Sequence, residues 1–331
     1  MPGITGQGTT FNLPNYVGEL FAVSPETTPF LSAIGGLTGG RPANSTHFTW
    51  QGYDLRDAAT DRQRLEGANA PEASGRARFS VMNVCEIHQE TVETSYTKQA
   101  ASGQFGDIGA NHPNVDGING TNPVMDEHGW QVAQVLKQIA RDVEATFLAG
   151  TFNDPASNAA PSPGPRRTRG LIQAIDTNAE DASGADLDED MILDLMQTVW
   201  TAGGINEAET ATIIANAYQK RQLTRIFITE KNYQEQTRNV GGVNLQTIET
   251  DFGRLNIMLN RYMPTDTVVV ASLEQCAPRF LPVPNKGFLF QEELAKTGAS
   301  ERTQIYGEIG LEYGNELAHG KITGLADSAG S

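Results

Sequence analysis

Residues 294–325 read LAKTGASERTQIYGEIGLEYGNELAHGKITGL, and within them RTQIYGEIGLEYGN places Ile305, Ile309, Leu311 and Tyr313 on one face by strict alternation. That period predicts a long strand with one buried side. Upstream, DTVVVASL (266–273) is a second strand, so the C-terminal part of the chain is sheet.

Working back, VNLQTIET and RLNIMLN form hairpin strands joined at Asp251, Phe252 and Gly253; TATIIANA is a strand and AYQKRQLTRIF a helix. DLDEDMILDLMQTVW offers Asp188 as a cap, acids in the first turn and an apolar stripe of Ile192, Leu195, Met196 and Val199, ended by Gly203 and Gly204. The clearest helix is 128–150, with Val132, Val135, Leu136, Ile139, Val143 and Phe147 at spacings of three and four and Gly150 as its stop. At about 1.5 Å per residue it is roughly 30 Å long, enough to cross a domain as a spine. Strands on both sides of a central α/β stretch predict an α+β chain with one domain inserted into another.

The N-terminal 45 residues are rich in Gly, Pro, Ser and Thr and carry one apolar patch, ETTPFLSAIGGL, in which Phe30, Leu31 and Ile34 share helical spacing. Such an arm cannot bury its patch within itself and must dock on the body or on a neighbour. Beyond it, HFTW puts Phe48 and Trp50 on one face, and RFSVMNVCEIHQE puts Phe79, Val81, Cys85 and Ile87 together. The polar excursion between them, GYDLRDAATDRQRLEGANAPEASGR, is too long for a hairpin turn and is expected to project as an extended two-stranded loop.

Composition narrows the function. Lys+Arg 24 against Asp+Glu 40 gives a net charge of -16, which disfavours a nucleic-acid reader. No run approaches the roughly eighteen apolar residues of a membrane span, and the opening MPGITGQGTTFNLP lacks the pattern of a signal peptide, so synthesis is expected to finish in the cytoplasm. Cys85 and Cys276 are expected as unpaired thiols.

Candidate chemistry is thin. Glu86, His88 and Glu90 of EIHQE share a strand face but lack further metal ligands. DTNAEDASGADL resembles a calcium loop through Asp176, Asn178 and Glu180, yet has Asp181 in place of the sixth-position Gly and Leu187 in place of the final Glu. Asp251-Phe252-Gly253 spells the kinase DFG without any other kinase element, and no P-loop, HExxH or GxSxG is present. Arg166, Arg167 and Arg169 of PRRTRG are a weak phosphate-contact signal. No catalytic, cofactor or metal residue is assigned.

Taken in order, TPFLSAIGG, FTWQGYDL with LEGANA, QIARDVEATFLAG, RGLIQAIDTN, RYMPTDTVVV and the 294–325 stretch resemble the major head proteins of tailed bacteriophages with the Hong Kong 97 capsid fold. The resemblance implies an arm (1–45), an extended loop (46–94), a peripheral domain (95–175 with 263–331) and an axial domain (176–262). It implies a structural subunit forming pentamers and hexamers of an icosahedral head around double-stranded DNA, assembled in the bacterial cytoplasm with a portal, a separate scaffolding protein and possible cement proteins. An encapsulin nanocompartment shell is the nearest rival, and an acidic hydrolase or calcium-binding protein a distant one. Expected subunit contacts are Phe30, Leu31 and Ile34 of the arm and Arg56, Arg62, Arg64, Glu66, Arg76 and Arg78 of the loop, whose mixed charges suit register-setting ion pairs across subunits.

Two departures from the family carry weight. The arm is short where some members carry a scaffolding extension. Some members also weld their shells by an isopeptide bond from a loop lysine to a neighbour's asparagine, but the first lysine here is Lys98, outside 46–94. Mature particles boiled in detergent should therefore run as monomers on a denaturing gel; ladders of covalent oligomers would contradict this.

Overall fold

Backbone N–H and C=O groups that leave water need partners, and this chain supplies them with two sheets, a two-stranded ribbon and one long helix. The computed structural model describes residues 24, 26–55, 58–72, 75–101, 126–155, 164–205, 211–230 and 247–327. In chain order, α1 (Pro29–Ala33) and β1 (Arg41–Pro42) precede the ribbon strands β2 (His47–Tyr53) and β3 (Arg78–Val84), then β4 (Glu86–Ser95), α2 (Tyr96–Ala101) and the long α3 (Glu127–Ala149). The α/β stretch holds α4 (Leu171–Ala174), β5 (Ala179–Asp181), α5 (Glu189–Thr201), β6 (Ala211–Ala215), α6 (Ala217–Thr224), β7 (Thr247–Thr250), β8 (Gly253–Leu259) and β9 (Val268–Ser272). The chain then returns through β10 (Ala277–Phe280), β11 (Leu289–Glu293), β12 (Ser300–Glu312) and β13 (Gly320–Thr323).

Contacts separate two compact units, a larger one drawn from Thr27–Gln89, Ile139–Phe290 and Tyr306–Ser331 and a smaller one from Met1–Glu26, Glu90–Gln138 and Gln291–Ile305. The larger unit contains a mixed sheet in the order β5-β13-β9-β6-β8-β7. Its inner strands β6 (ATIIA) and β9 (VVVAS) are buried at every residue, which is why they are apolar runs without alternation. The hairpin of β7 and β8 turns at Asp251 and Phe252, with Thr250 paired to Gly253, as its spacing predicts. Helix α5 lays Ile192, Leu195, Met196 and Val199 on this sheet, and Asp188 caps it by accepting from the Glu189 N–H. The C-terminal stretch contributes β9 and β13, so residues beyond 262 close the α/β core.

The predicted helix 128–150 is Glu127–Ala149 and stops at Gly150. Its stripe is nearly as read, with Val132, Ile139, Val143 and Phe147 buried, but Leu136 is exposed and Leu148 is fully buried. Between them sits Glu144, also fully buried, whose carboxylate accepts from the Phe30 N–H at 2.8 Å, the Leu31 N–H at 2.6 Å and the Asn260 amide at 2.5 Å. Two of these donors are first-turn amides of α1, orphaned by helix geometry. The spine helix thus supplies the cap that α1 lacks. Burial pushes the Glu144 carboxyl above its usual range, against the pull of the three donors.

The reading of 78–90 as one alternating strand is corrected. Strand β3 pairs with β2, β4 pairs with β12, and the change of partner falls at Cys85. Cys85 is buried, while Phe79 and Ile87 are exposed, so the four residues do not share a face. The cause is Asn83, fully buried beside the break: its amide nitrogen donates to Leu311 O at 2.7 Å and Arg169 O at 3.2 Å, and its oxygen accepts from Arg169 N at 2.8 Å and Val84 N at 2.9 Å. One side chain thus satisfies four backbone groups. Both thiols are unpaired and buried, as expected, and burial drives that of Cys85 up to about 12 and that of Cys276 higher still.

His319, fully buried, ties the end of β9 to the turn after β12: one ring nitrogen accepts from the Ser272 N–H at 3.2 Å and the other donates to Tyr313 O at 2.8 Å. That pairing fits the neutral ring, and burial lowers its affinity for a second proton. In the smaller unit another buried histidine, His128 on α3, bonds the hydroxyls of Thr94 at 3.0 Å and Thr303 at 2.8 Å.

Glu144→Ala strands three donors and opens a cavity, so it should lower unfolding free energy by about 3 kcal/mol in chemical denaturation, and Glu144→Gln, which mismatches one donor, by about 1 kcal/mol. Because folding depresses the basicity of His319, the unfolded chain takes up its proton first as pH falls below the ordinary value of 6.5, and stability is lost from there downward. A melting series from pH 8 to pH 5 should show a shallower acid decline for His319→Gln than for the parent.

Candidate assembly surface

Strands β2 and β3 form an antiparallel ribbon in register from His47↔Val84 to Tyr53↔Arg78. Its root is anchored by aromatics. Trp50 stacks on Phe48 with ring centres 5.9 Å apart, meets Tyr313 edge-on at 4.9 Å and donates its indole N–H to Gly314 O at 2.6 Å. Gly314 adopts φ +63, a left-handed turn open to glycine at no steric penalty. On the ribbon itself the Phe79 ring lies over Gly52, where a Cβ would collide with it.

Beyond Tyr53 every described residue through Ser80 is exposed. Tyr53 is 70% exposed, Leu55 65% and Leu65 86%, and the outermost stretch turns at Leu65 to Ala68 with Gly67 at φ +77. A chain that leaves leucines in water has surface to give to a partner. Arg62, Arg64 and Glu66 make no hydrogen bond or ion pair with another described residue. Arg76 donates to Gly75 O and Arg78 to Gln51 Oε1 at 3.4 Å, and Arg56 lies outside the described residues.

The arm residues stand differently. Phe30 and Leu31 are 0% and 2% exposed and Ile34 is buried, all within the chain's own larger unit. Of the two dockings open to the arm patch, the body is the one observed. Expected as subunit contacts, these three side chains are buried within one chain: Glu144 holds the Phe30 and Leu31 amides and the core covers the apolar atoms of all three.

The weighed chemical motifs resolve into internal structure. Glu86 pairs with His88 at 2.8 Å and accepts from the Thr168 N–H, and the described residues hold no cluster able to bind a metal. In the calcium-like loop, Asp181 accepts from the Ser183 N–H as a turn, and the carboxylate facing Asp176 and Thr177 is that of Glu316. Arg166 pairs with Glu308 at 2.8 Å, and Arg169 bonds Tyr313 and lies over the Phe152 ring at 4.7 Å, leaving exposed Arg167 alone of the three facing solvent. Sequence reasoning missed a second charge group, in which Glu312 accepts from Arg279 at 2.6 Å and Arg41 at 3.3 Å. All three lie on strands, Arg41 on β1 beside Arg279, but Arg41 comes from 271 residues before Glu312, and no local signal announces it.

An anchored root, a solvent-borne ribbon and a buried Phe30-Leu31-Ile34 patch describe a subunit prepared for neighbours, and comparison with known proteins agrees. The family model of the SU10 major capsid protein matches residues 3–326. The major capsid protein of Escherichia phage Phieco32 is 24% identical over 368 aligned positions, covering 95% of this chain and 94% of that one. Among solved structures, the capsid of Cyanophage A-1(L) superposes with a TM-score of 0.60 at 10% identity over 95% of this chain and 97% of that one. The SrpI encapsulin of Synechococcus elongatus PCC 7942 gives 0.55 at 10% identity, over 97% and 95%. The chain has the α+β Hong Kong 97-like capsid fold and belongs to the SU10 major capsid protein family, as a structural subunit of a phage shell.

Proposed function

We propose that copies of this chain build the pentamers and hexamers of an icosahedral head around double-stranded DNA, assembled in the host cytoplasm with a portal, a scaffolding protein and cement proteins. The observation that carries this reading is the match to a capsid family along nearly the whole chain, on a subunit whose described residues from Tyr53 through Ser80 are all exposed. Residues 1–45 serve as arm, 46–94 as the extended loop that lies on an adjacent subunit, and 95–175 with 263–331 as the peripheral domain. The axial domain is centred on 176–262 and completed by β9 and β13.

The role is structural, and its mechanism is repetition. Each exposed ion pair is worth about 0 to 1 kcal/mol, so Arg62, Arg64, Glu66, Arg76 and Arg78 set register while buried apolar area supplies adhesion. Closed symmetry multiplies modest contacts into a durable shell. The net charge of -16 keeps the wall from gripping DNA and gives no sequence preference.

The encapsulin reading shares the fold and differs in content. Particles purified from infected cells should contain nuclease-protected DNA and show five- and six-fold capsomers by electron microscopy; particles filled with a protein cargo and free of DNA would support the encapsulin reading instead.

A further inference from the structure

Beside the ribbon root lies a cleft of about 310 Å³ lined by the rings of Trp50 and Phe79, the carboxylates of Glu274 and Glu312, and Arg41. Its polar groups are unequally engaged. Glu312 already holds Arg279 and Arg41, whereas Glu274 is exposed and makes no hydrogen bond or ion pair with another described residue. Arg41, its own side chain 60% exposed, makes one 3.3 Å contact with buried Glu312, so most of its N–H donors remain for another partner, and Phe79 is 45% exposed. The cleft therefore offers an anion, an aromatic wall and a cation.

The ribbon's outer turn offers the reverse set in three consecutive residues: Arg64, Leu65 and Glu66. Leu65 is the most exposed large apolar side chain described, at 86%, and the charges flanking it are unpaired. Because the chain bends at Leu65 to Ala68, these side chains escape the two-sided alternation of a strand.

We propose that the Arg64-Leu65-Glu66 turn of one copy seats in this cleft of a neighbouring copy, with Arg64 against Glu274, Leu65 on the Phe79 and Trp50 rings, and Glu66 against Arg41. Opposite charges set around an apolar centre fix one register and penalise a slipped one. The proposal rests on the reading above that copies pack into shells, and adds the residues that meet.

Charge exchange tests it, using the full chain under conditions where the parent forms shells, with shell yield measured by sedimentation and electron microscopy. Glu274→Arg alone and Arg64→Glu alone should each reduce yield about tenfold or more, while circular dichroism and melting of the unassembled subunit stay unchanged, since both residues are exposed. Combining both substitutions in one chain should restore shells. Co-expressing the two single variants should also restore part of the yield, because the altered turn of one variant then meets the altered cleft of the other, and the native turn of the second meets the native cleft of the first. Full yield from either single variant would overturn the proposal, as would losses that no combination repairs. Rescue by the combined chain without rescue by co-expression would overturn it too, by placing the contact within one chain. A parent chain that never forms shells would instead strike the shell reading itself.

Discussion

The amide of Asn83 holds together three stretches of chain that meet where the ribbon leaves the body. It lies fully buried, and all four of its bonds go to backbone groups of residues 84, 169 and 311. Without it, donors and acceptors on each segment would sit in the interior unmatched, at about 1 to 3 kcal/mol apiece. Beside it the chain changes partner, with the β2–β3 register kept up to Val84. β3 runs outward with β2, and β4 runs inward beside β12. The ribbon and the larger sheet part at that point.

Much of this was legible from residues alone. The stripe of α3, the alternation of β12, the Asp188 cap and the hairpin at Asp251 to Gly253 are local patterns, and local periodicity reports them well. What stayed hidden is nonlocal. Alternation across 78–90 suggested one strand because neither Asn83 nor Cys85 breaks the pattern; the partners that meet Asn83 at the break, Arg169 and Leu311, lie far along the chain. Glu144 sat in the apolar stripe as an ordinary acid, and its α1 partners contribute only backbone amides, which no sequence displays. For the assembly surface, composition identified the charged loop, while the cleft that brings Arg41, Trp50 and Glu274 together draws on three distant segments.

The arm shows how a correct premise can admit two outcomes. Its apolar patch had to be covered, and Phe30 and Leu31 are covered at home, with the spine helix caging the first turn of α1. The interior of the subunit thereby extends to the arm, while the ribbon stays outside with leucines in solvent. The division separates what one copy can satisfy from what it leaves to others.

The two thiols carry a practical consequence. The chain has only Cys85 and Cys276, both enclosed and both with burial holding the sulfur protonated, so neither presents a thiolate to reagents in water. A cysteine engineered on an outward position would be the single reactive handle per subunit, repeated across a lattice at fixed spacing. The native background is already quiet enough for dyes, metal clusters or peptides to be coupled there without first deleting anything.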